Sequence, residues 1–296
     1  MTIDSLIKNA TVEFGLSNVV PYMSFLRRQE SKKNIQLDSC LRRNDRSASI
    51  SKNHIFSAIQ KTKSVILKIS EDSEELESEY NALKAFENLG AASVLAYSKN
   101  AIILERIESG NSLAEYFPNN EEASIDIVSE IIKKLRDAPR SSYIFTSIDQ
   151  WLGLLDDQAF YESEDISDLI KKASVIKDEL LSVKKPQILL HADLHHNNIL
   201  KGFDGWKVID PKGVIGEAEY DVGCFIRNPV SELSSHVDAI NIIKNRISSL
   251  SEKLSYDPQR IANWCFVQAA LSFLFARQDG VDTRGFRKLV EIFEEV

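Results

Sequence analysis

The segment His191-Ala192-Asp193-Leu194-His195-His196-Asn197-Asn198 lies between two short apolar runs, Ile188–Leu190 and Ile199–Lys201. It reads as a polar loop joining two strands. Phe203-Asp204-Gly205 then turns the chain into a further strand, Trp206–Ile209, which ends at Asp210-Pro211. The sequence on both sides of this island has a helical pattern, so the fold must seat short strands and their loops within a mainly helical body. Asp193 and Asn198 lie on one loop and Asp210 closes the next strand. Oxygen-bearing side chains placed this way around strand ends can hold Mg²⁺ against the phosphates of a nucleotide. Three of the five histidines, His191, His195 and His196, crowd the same loop, so a cluster of metal-ligating imidazoles is the competing reading.

The rest of the chain separates into two parts. Residues Ser49–Ile59 and Val65–Ser70 read as strands, the second opening with the apolar Val65-Ile66-Leu67 ahead of Lys68. Ser73–Leu89 reads as a helix, because Leu76, Tyr80, Leu83 and Phe86 recur at helical steps and Gly90 is suited to end it. Ala101–Ile107 returns to strand. Beyond Ser109-Gly110-Asn111 the pattern is helical at Ser124–Leu135 and Ser163–Leu181, and again over about residues 231–254, 258–277 and 283–295. The expectation is an α+β, two-lobed chain. A small sheet-rich lobe would occupy residues 1–108 and include a connecting strand, and a larger, mainly helical lobe would occupy 109–296.

Charge and cysteine content narrow the function. Residues 1–70 hold 12 Lys+Arg against 5 Asp+Glu, and the remainder holds 24 against 39, giving −8 overall. A net-acidic chain is a poor polyanion binder, which argues against nucleic acid. The split in sign suits an anionic ligand at one side and a cationic one at the other. Cys40, Cys224 and Cys265 are odd in number and show no CxxC spacing, which argues against a disulfide framework or a cysteine-based zinc site. No signal-like segment opens the chain, and its most apolar stretch, Trp264–Ala276, is shorter than the roughly 20 residues a membrane span needs. A cytoplasmic protein with no membrane partner is expected.

HADLHHNNIL and VIDPKGVIGEAEYDVGCFIRNP resemble the aminoglycoside phosphotransferase superfamily, and within it the streptomycin 6-kinase and hydroxyurea kinase branch. SVILKIS, ESEYNALKAFENLGAASVLAY, AIILERIESGNSLAEYF and WCFVQAALSFLFARQDG agree in order, so the resemblance runs from roughly residue 45 to the C-terminus. It implies a protein-kinase-like fold and transfer of phosphate from ATP, or another nucleoside triphosphate, with Mg²⁺. On this resemblance Asp193 is the catalytic aspartate that orients an acceptor hydroxyl and takes its proton. Asn198 and Asp210 are the metal-holding residues, and His191 is a structural hydrogen-bonding residue. His195 stands where related kinases often carry a phosphate-facing lysine, so it takes a secondary, transition-state role. Asp221 braces the catalytic loop through backbone N–H groups. Lys68 pairs with the α- and β-phosphates and is braced from the helix by Glu79, with Glu75 as the rival one turn earlier. Leu104-Glu105-Arg106-Ile107 matches the hinge, where the backbone of Glu105 and Ile107 meets the adenine edge.

Two departures from the kinase pattern stand out. Residues 16–89 contain no glycine, so no Gly-rich phosphate loop exists and Ser47-Ala48-Ser49 is its best substitute. Pro211 follows Asp210 where protein kinases carry Phe-Gly, which points to a small-molecule kinase without a switching loop. The resemblance implies streptomycin as acceptor, phosphorylated at its 6-hydroxyl to give antibiotic resistance. Such a cationic small molecule suits the acidic remainder of the chain, where Glu217, Glu219, Asp279 and Asp282 are acidic candidates. Another small hydroxylated metabolite is the alternative acceptor. From the residues alone, a metallohydrolase built on the histidine cluster also stays open, although only His54 and His236 remain to complete it.

Overall fold

The computed structural model describes residues 2–22, 53–139, 142–157 and 166–296. The Ser47-Ala48-Ser49 substitute loop, Cys40 and the first residues of the expected 163–181 helix lie outside them. The chain forms two compact units: Met1–Asn111 with Leu200–Ile209, and Ser112–Ile199 with Asp210–Val296. The first unit ends three residues beyond the expected division at residue 108 and also takes in the hairpin at residues 200–209, whose hydrogen bonds run to residues 90–92 and 109–111.

The first unit opens with helix α1 (Ile3–Glu13), capped by Thr2, whose hydroxyl accepts the Ser5 N–H at 3.4 Å. A five-stranded antiparallel sheet follows, with β1 (Leu16–Pro21), β2 (Asn53–Gln60), β3 (Lys63–Ser70), β4 (Val94–Ser98) and β5 (Ala101–Glu105) in the order β1-β2-β3-β5-β4. Lys61, at a left-handed φ of 56°, turns β2 into β3. Val65, Leu67 and Ile69 alternate along β3 into the core with Ala58, Ile103 and Leu16, the period expected of a strand. Helix α2 (Ser73–Ala85) is capped by Asp72, whose carboxylate accepts the Glu74 and Glu75 N–H groups at 3.2 and 3.1 Å. It stops short of the expected Leu89. Asn88 already takes a left-handed φ of 68°, so the chain turns before Gly90. The sequence patterns also stop short of α1, β1 and β4.

Strands β6 (Ile199–Gly202) and β7 (Gly205–Val208) form a two-stranded hairpin. Val208 donates to Gly90 O at 2.8 Å and accepts from Ala92 N–H at 2.9 Å, while Lys201 exchanges backbone bonds with Gly110 and Asn111.

The second unit is mainly helical. Its longest element, α3 (Pro258–Gln278), buries Trp264, Cys265, Phe266, Val267 and Leu271, so the most apolar stretch of the sequence is core. Packed on it are α4 (Ser167–Ser182), α5 (Ala218–Ile226), α6 (Ala239–Leu254) and α7 (Arg284–Glu294). The helix expected over 231–254 is broken: Val230–Ser235 ends at extended His236 before α6 begins. At Gly223 a Cβ would come within 2.8 Å of the Gln268 amide, so glycine there lets α5 and α3 pack closely. A small sheet joins strands Ile188–Leu190, Val214–Gly216 and Thr146–Ser147. Its Val214↔Leu190 register sets Asp210 and Lys212 beside the loop that begins at His191.

Candidate active site

The loop after Ile188–Leu190 is held from below by Asp221 on α5. Its carboxylate accepts the N–H of His191 at 2.9 Å and that of Ala192 at 2.7 Å. Ala192 takes a left-handed φ of 62°, a costly conformation that persists when neighbouring bonds over-determine it. The Lys212 N–H donates to His191 O at 2.8 Å, and His191 Nδ1 accepts the Asp193 N–H at 3.3 Å. Each bond reduces the freedom of the backbone that carries Asp193.

Around Asp193 three expected residues converge. Asn198 Nδ2 donates to Asp193 O at 2.9 Å and lies 3.5 Å from Asp193 Oδ2. His195 Nε2 stands 3.7 Å from the same carboxylate oxygen, and its Nδ1 accepts the Asn197 N–H at 3.2 Å. A neutral His195 therefore carries its proton on Nε2, facing Asp193. Asp210, at φ 60°, lies two residues beyond β7, and its charge acts on Asp193, raising its pKa. Burial pushes the Asp193 carboxyl upward, but the charges of His195, Lys212 and Arg227 outweigh it and hold the group below the ordinary value. Asp193 is thus an anion at neutral pH, as an acceptor of a hydroxyl proton must be. Burial also pushes Asp221 up, to about 7, with its two backbone donors pulling down and the Asp193 charge adding to the rise.

The donor chemistry fits Mg²⁺. Asn198 commits Nδ2 to the backbone, which turns Oδ1 the other way, and Asp210 offers a carboxylate. Two hard oxygen ligands, completed by water and substrate phosphates, are the usual protein share of a Mg²⁺ site. The histidines do not converge as an imidazole cluster. His191 and His195 each spend Nδ1 on backbone, and His196 is fully buried, stacked on Phe225 at 4.2 Å. Among the described residues, no three His, Cys, Asp or Glu side chains gather as a metal site.

In the first unit, Lys68 Nζ and Glu79 Oε2 are 2.5 Å apart, and both side chains are nearly inaccessible. Glu79 rather than Glu75 takes this place because it lies on the buried face of α2 with Leu76, Ala82 and Leu83. Glu105 ends β5. Its N–H donates to Ser93 O, while its carboxylate accepts the Ser93 N–H at 2.7 Å and holds Lys207 at 2.9 Å. Ile107 lies just beyond that strand, with its side chain against the hairpin at Gly202.

Of the acidic candidates for a cationic guest, Glu217 is already occupied. It holds Arg260 at 2.6 and 2.8 Å and accepts the Trp264 indole N–H at 3.1 Å. Asp282 pairs with Arg284 on the surface. Glu219 is buried on the first turn of α5. Sequence reasoning missed Lys212 and Arg227, two cations that act on Asp193 together with the His195 ring. Both fall inside the quoted VIDPKGVIGEAEYDVGCFIRNP segment, but no residue pattern there ties them to Asp193.

The first unit thus holds a buried lysine–glutamate pair between β3 and α2, and the second unit holds an Asp–Asn–Asp set on its loops, in a protein-kinase-like fold. The chain belongs to the aminoglycoside/hydroxyurea antibiotic resistance kinase family, which matches residues 47–280. It is 28% identical over 223 residues to streptomycin 3″-kinase of Klebsiella pneumoniae, covering 73% of this chain and 80% of that one. It is 23% identical over 224 residues to streptomycin 6-kinase of Streptomyces griseus, covering 73% and 71%. Its fold matches that of aminoglycoside phosphotransferase APH(4)-Ia in ternary complex with AMP-PNP and hygromycin B. There the TM-score is 0.62 and the identity 14%, with 98% of each chain covered.

Proposed function

We propose that the protein is an ATP- and Mg²⁺-dependent kinase that phosphorylates a hydroxyl of streptomycin or a closely related aminoglycoside. The observation that carries this reading is the Asp193 carboxylate. It is held by the loop that Asp221 fixes, bonded to Asn198, and kept anionic by its neighbours His195, Lys212 and Arg227. The acceptor hydroxyl donates its hydrogen bond to Asp193. As its oxygen forms the bond to the γ-phosphorus, the bond from that phosphorus to the ADP oxygen breaks. The hydroxyl proton passes to Asp193 and then to solvent, so ATP and alcohol become ADP, phosphate ester and a proton. Lys68, fixed by Glu79, aligns the α- and β-phosphates, and the backbone of residues 105–107 takes the adenine edge. Asn198 and Asp210 would hold Mg²⁺, which would neutralise charge on the phosphates. His195 donates from Nε2 toward the oxygens gathering on Asp193's side.

The two curated relatives modify different hydroxyls of streptomycin, and the 6-hydroxyl is the site we assign here. The described cysteines, Cys224 and Cys265, are free and buried, and no helix among the described residues is long and apolar enough to cross a membrane. Both observations support a cytoplasmic enzyme. The test is a Mg²⁺-dependent assay of ADP release with streptomycin beside a panel of cationic and neutral alcohols, with phosphorus NMR to place the phosphate. Turnover of streptomycin with phosphate on the 6-hydroxyl is expected. Rapid turnover of a neutral alcohol with none of streptomycin would sink the antibiotic reading.

A further inference from the structure

The hairpin β6–β7 is flanked by the two residues assigned to the metal, Asn198 before it and Asp210 after it. Each arm is clamped close to its metal-holding neighbour. On the β6 arm, Lys201 donates to Asn111 O at 2.9 Å, and its carbonyl accepts from Gly110 N–H at 3.0 Å and from the Ser109 hydroxyl at 2.9 Å. On the β7 arm, Val208 is bonded on both sides to Gly90 and Ala92. Next to Val208, Lys207 reaches both carboxylate oxygens of Glu105 at 2.9 Å. The Lys207 and Glu105 side chains are 19% and 26% exposed, dry enough for the attraction to exceed that of a surface pair. Burial opposes the charge of each, yet their mutual hydrogen bonds and attraction raise the Lys207 pKa and lower that of Glu105. Glu105 also closes β5, the strand whose end is assigned to the nucleobase.

We propose that the Glu105–Lys207 ion pair is a positioning device that couples nucleotide binding at the end of β5 to metal binding at Asp210. The inference rests on the nucleotide and Mg²⁺ reading above and assigns the Glu105 side chain a role separate from its backbone. One carboxylate fixes the strand end that meets the base and, through Lys207, the strand that delivers Asp210. Ordering either end therefore orders the other, and the two ligands strengthen each other's binding.

The test is calorimetric titration of AMP-PNP into the full chain with and without Mg²⁺, a measurement that needs no acceptor. In the unmodified protein Mg²⁺ tightens AMP-PNP. In Lys207→Met and in Glu105→Gln, which keeps the bond from Ser93, that tightening falls by about tenfold, and in Lys207→Met the metal-free affinity changes less than about twofold. The exchanged pair Glu105→Lys/Lys207→Glu restores the tightening and decides the matter if the single variants fail to fold. Folded single variants with undiminished Mg²⁺ tightening overturn the proposal, as does a folded exchanged pair that shows none. A purely structural pair would lower the melting temperature and leave the Mg²⁺ ratio unchanged. An unmodified protein that binds no AMP-PNP under either condition overturns the nucleotide reading itself, a result distinct from an unchanged ratio.

Discussion

Asp193 is placed chiefly by bonds to its loop's backbone, and its carboxylate meets Asn198 and His195 at one oxygen, Oδ2, at 3.5 and 3.7 Å. Asp193→Asn retains size and the Asn198 bond to the backbone but cannot take a proton. Turnover should fall by roughly 100- to 10,000-fold with little change in KM for ATP. Steady-state kinetics on both parameters check this. Asp221 offers a test by pH. Its pKa rises on folding from an ordinary carboxylate value of about 3.9 to about 7, so the folded state holds that proton more tightly. The contribution to stability is full below the unfolded pKa and is lost as pH rises through about 7. Melting temperatures taken between about pH 5 and pH 8 should fall with rising pH. That part of the slope should vanish in Asp221→Asn, and an identical slope in the two proteins would contradict the assignment. At this scale the site was legible where the chemistry is local. The loop from His191 to Asn198 carries its own spacing, and the Asp221 brace follows from the family. Lys212 and Arg227 were not legible, because their effect on Asp193 depends on how Val214–Gly216 and α5 bring distant segments beside the loop.

Strand β3 and helix α2 together present the Lys68–Glu79 pair, and their packing tests its purpose. Removing one partner strands a buried charge, so Glu79→Ala should cost about 3–5 kcal/mol in denaturant unfolding. The double change Lys68→Met/Glu79→Leu replaces the pair by apolar side chains of similar size and should recover most of that stability. Activity should stay lost in the double variant, because nothing then aligns the phosphates. Recovery of both would make the pair purely structural. Among the elements, those with strong periodicity were readable. The strand Val65–Ser70 extends by only two residues, and Ile188–Leu190 and Trp206–Ile209 stand within a residue of their expected bounds. Strand β4 escaped notice because its burial pattern does not alternate cleanly. The split at His236 escaped because the apolar spacing of Leu233, Ile240 and Ile243 runs across it, and extended backbone there is set by tertiary context.

At the scale of the whole molecule, the sequence order of the two units is interrupted at the β6–β7 hairpin. Periodicity could not show this, since the hairpin's partners at residues 90–92 and 109–111 lie far from it along the chain. One unit carries Lys68, Glu79 and β5, and the other carries Asp193, Asn198 and Asp210. Chemistry in such a kinase is mostly positioning and charge neutralisation, so loss of a single group should abolish turnover without unfolding either unit. The most direct measurement is a single-turnover experiment in which the enzyme, saturated with Mg·ATP, is mixed with streptomycin and phosphorylated product is followed by mass spectrometry. The unmodified protein should form one phosphorylated streptomycin per active site. Asp193→Ala should form none on the same timescale while keeping its melting temperature and its AMP-PNP affinity. An Asp193→Ala protein that transfers phosphate at the unmodified rate would contradict the account.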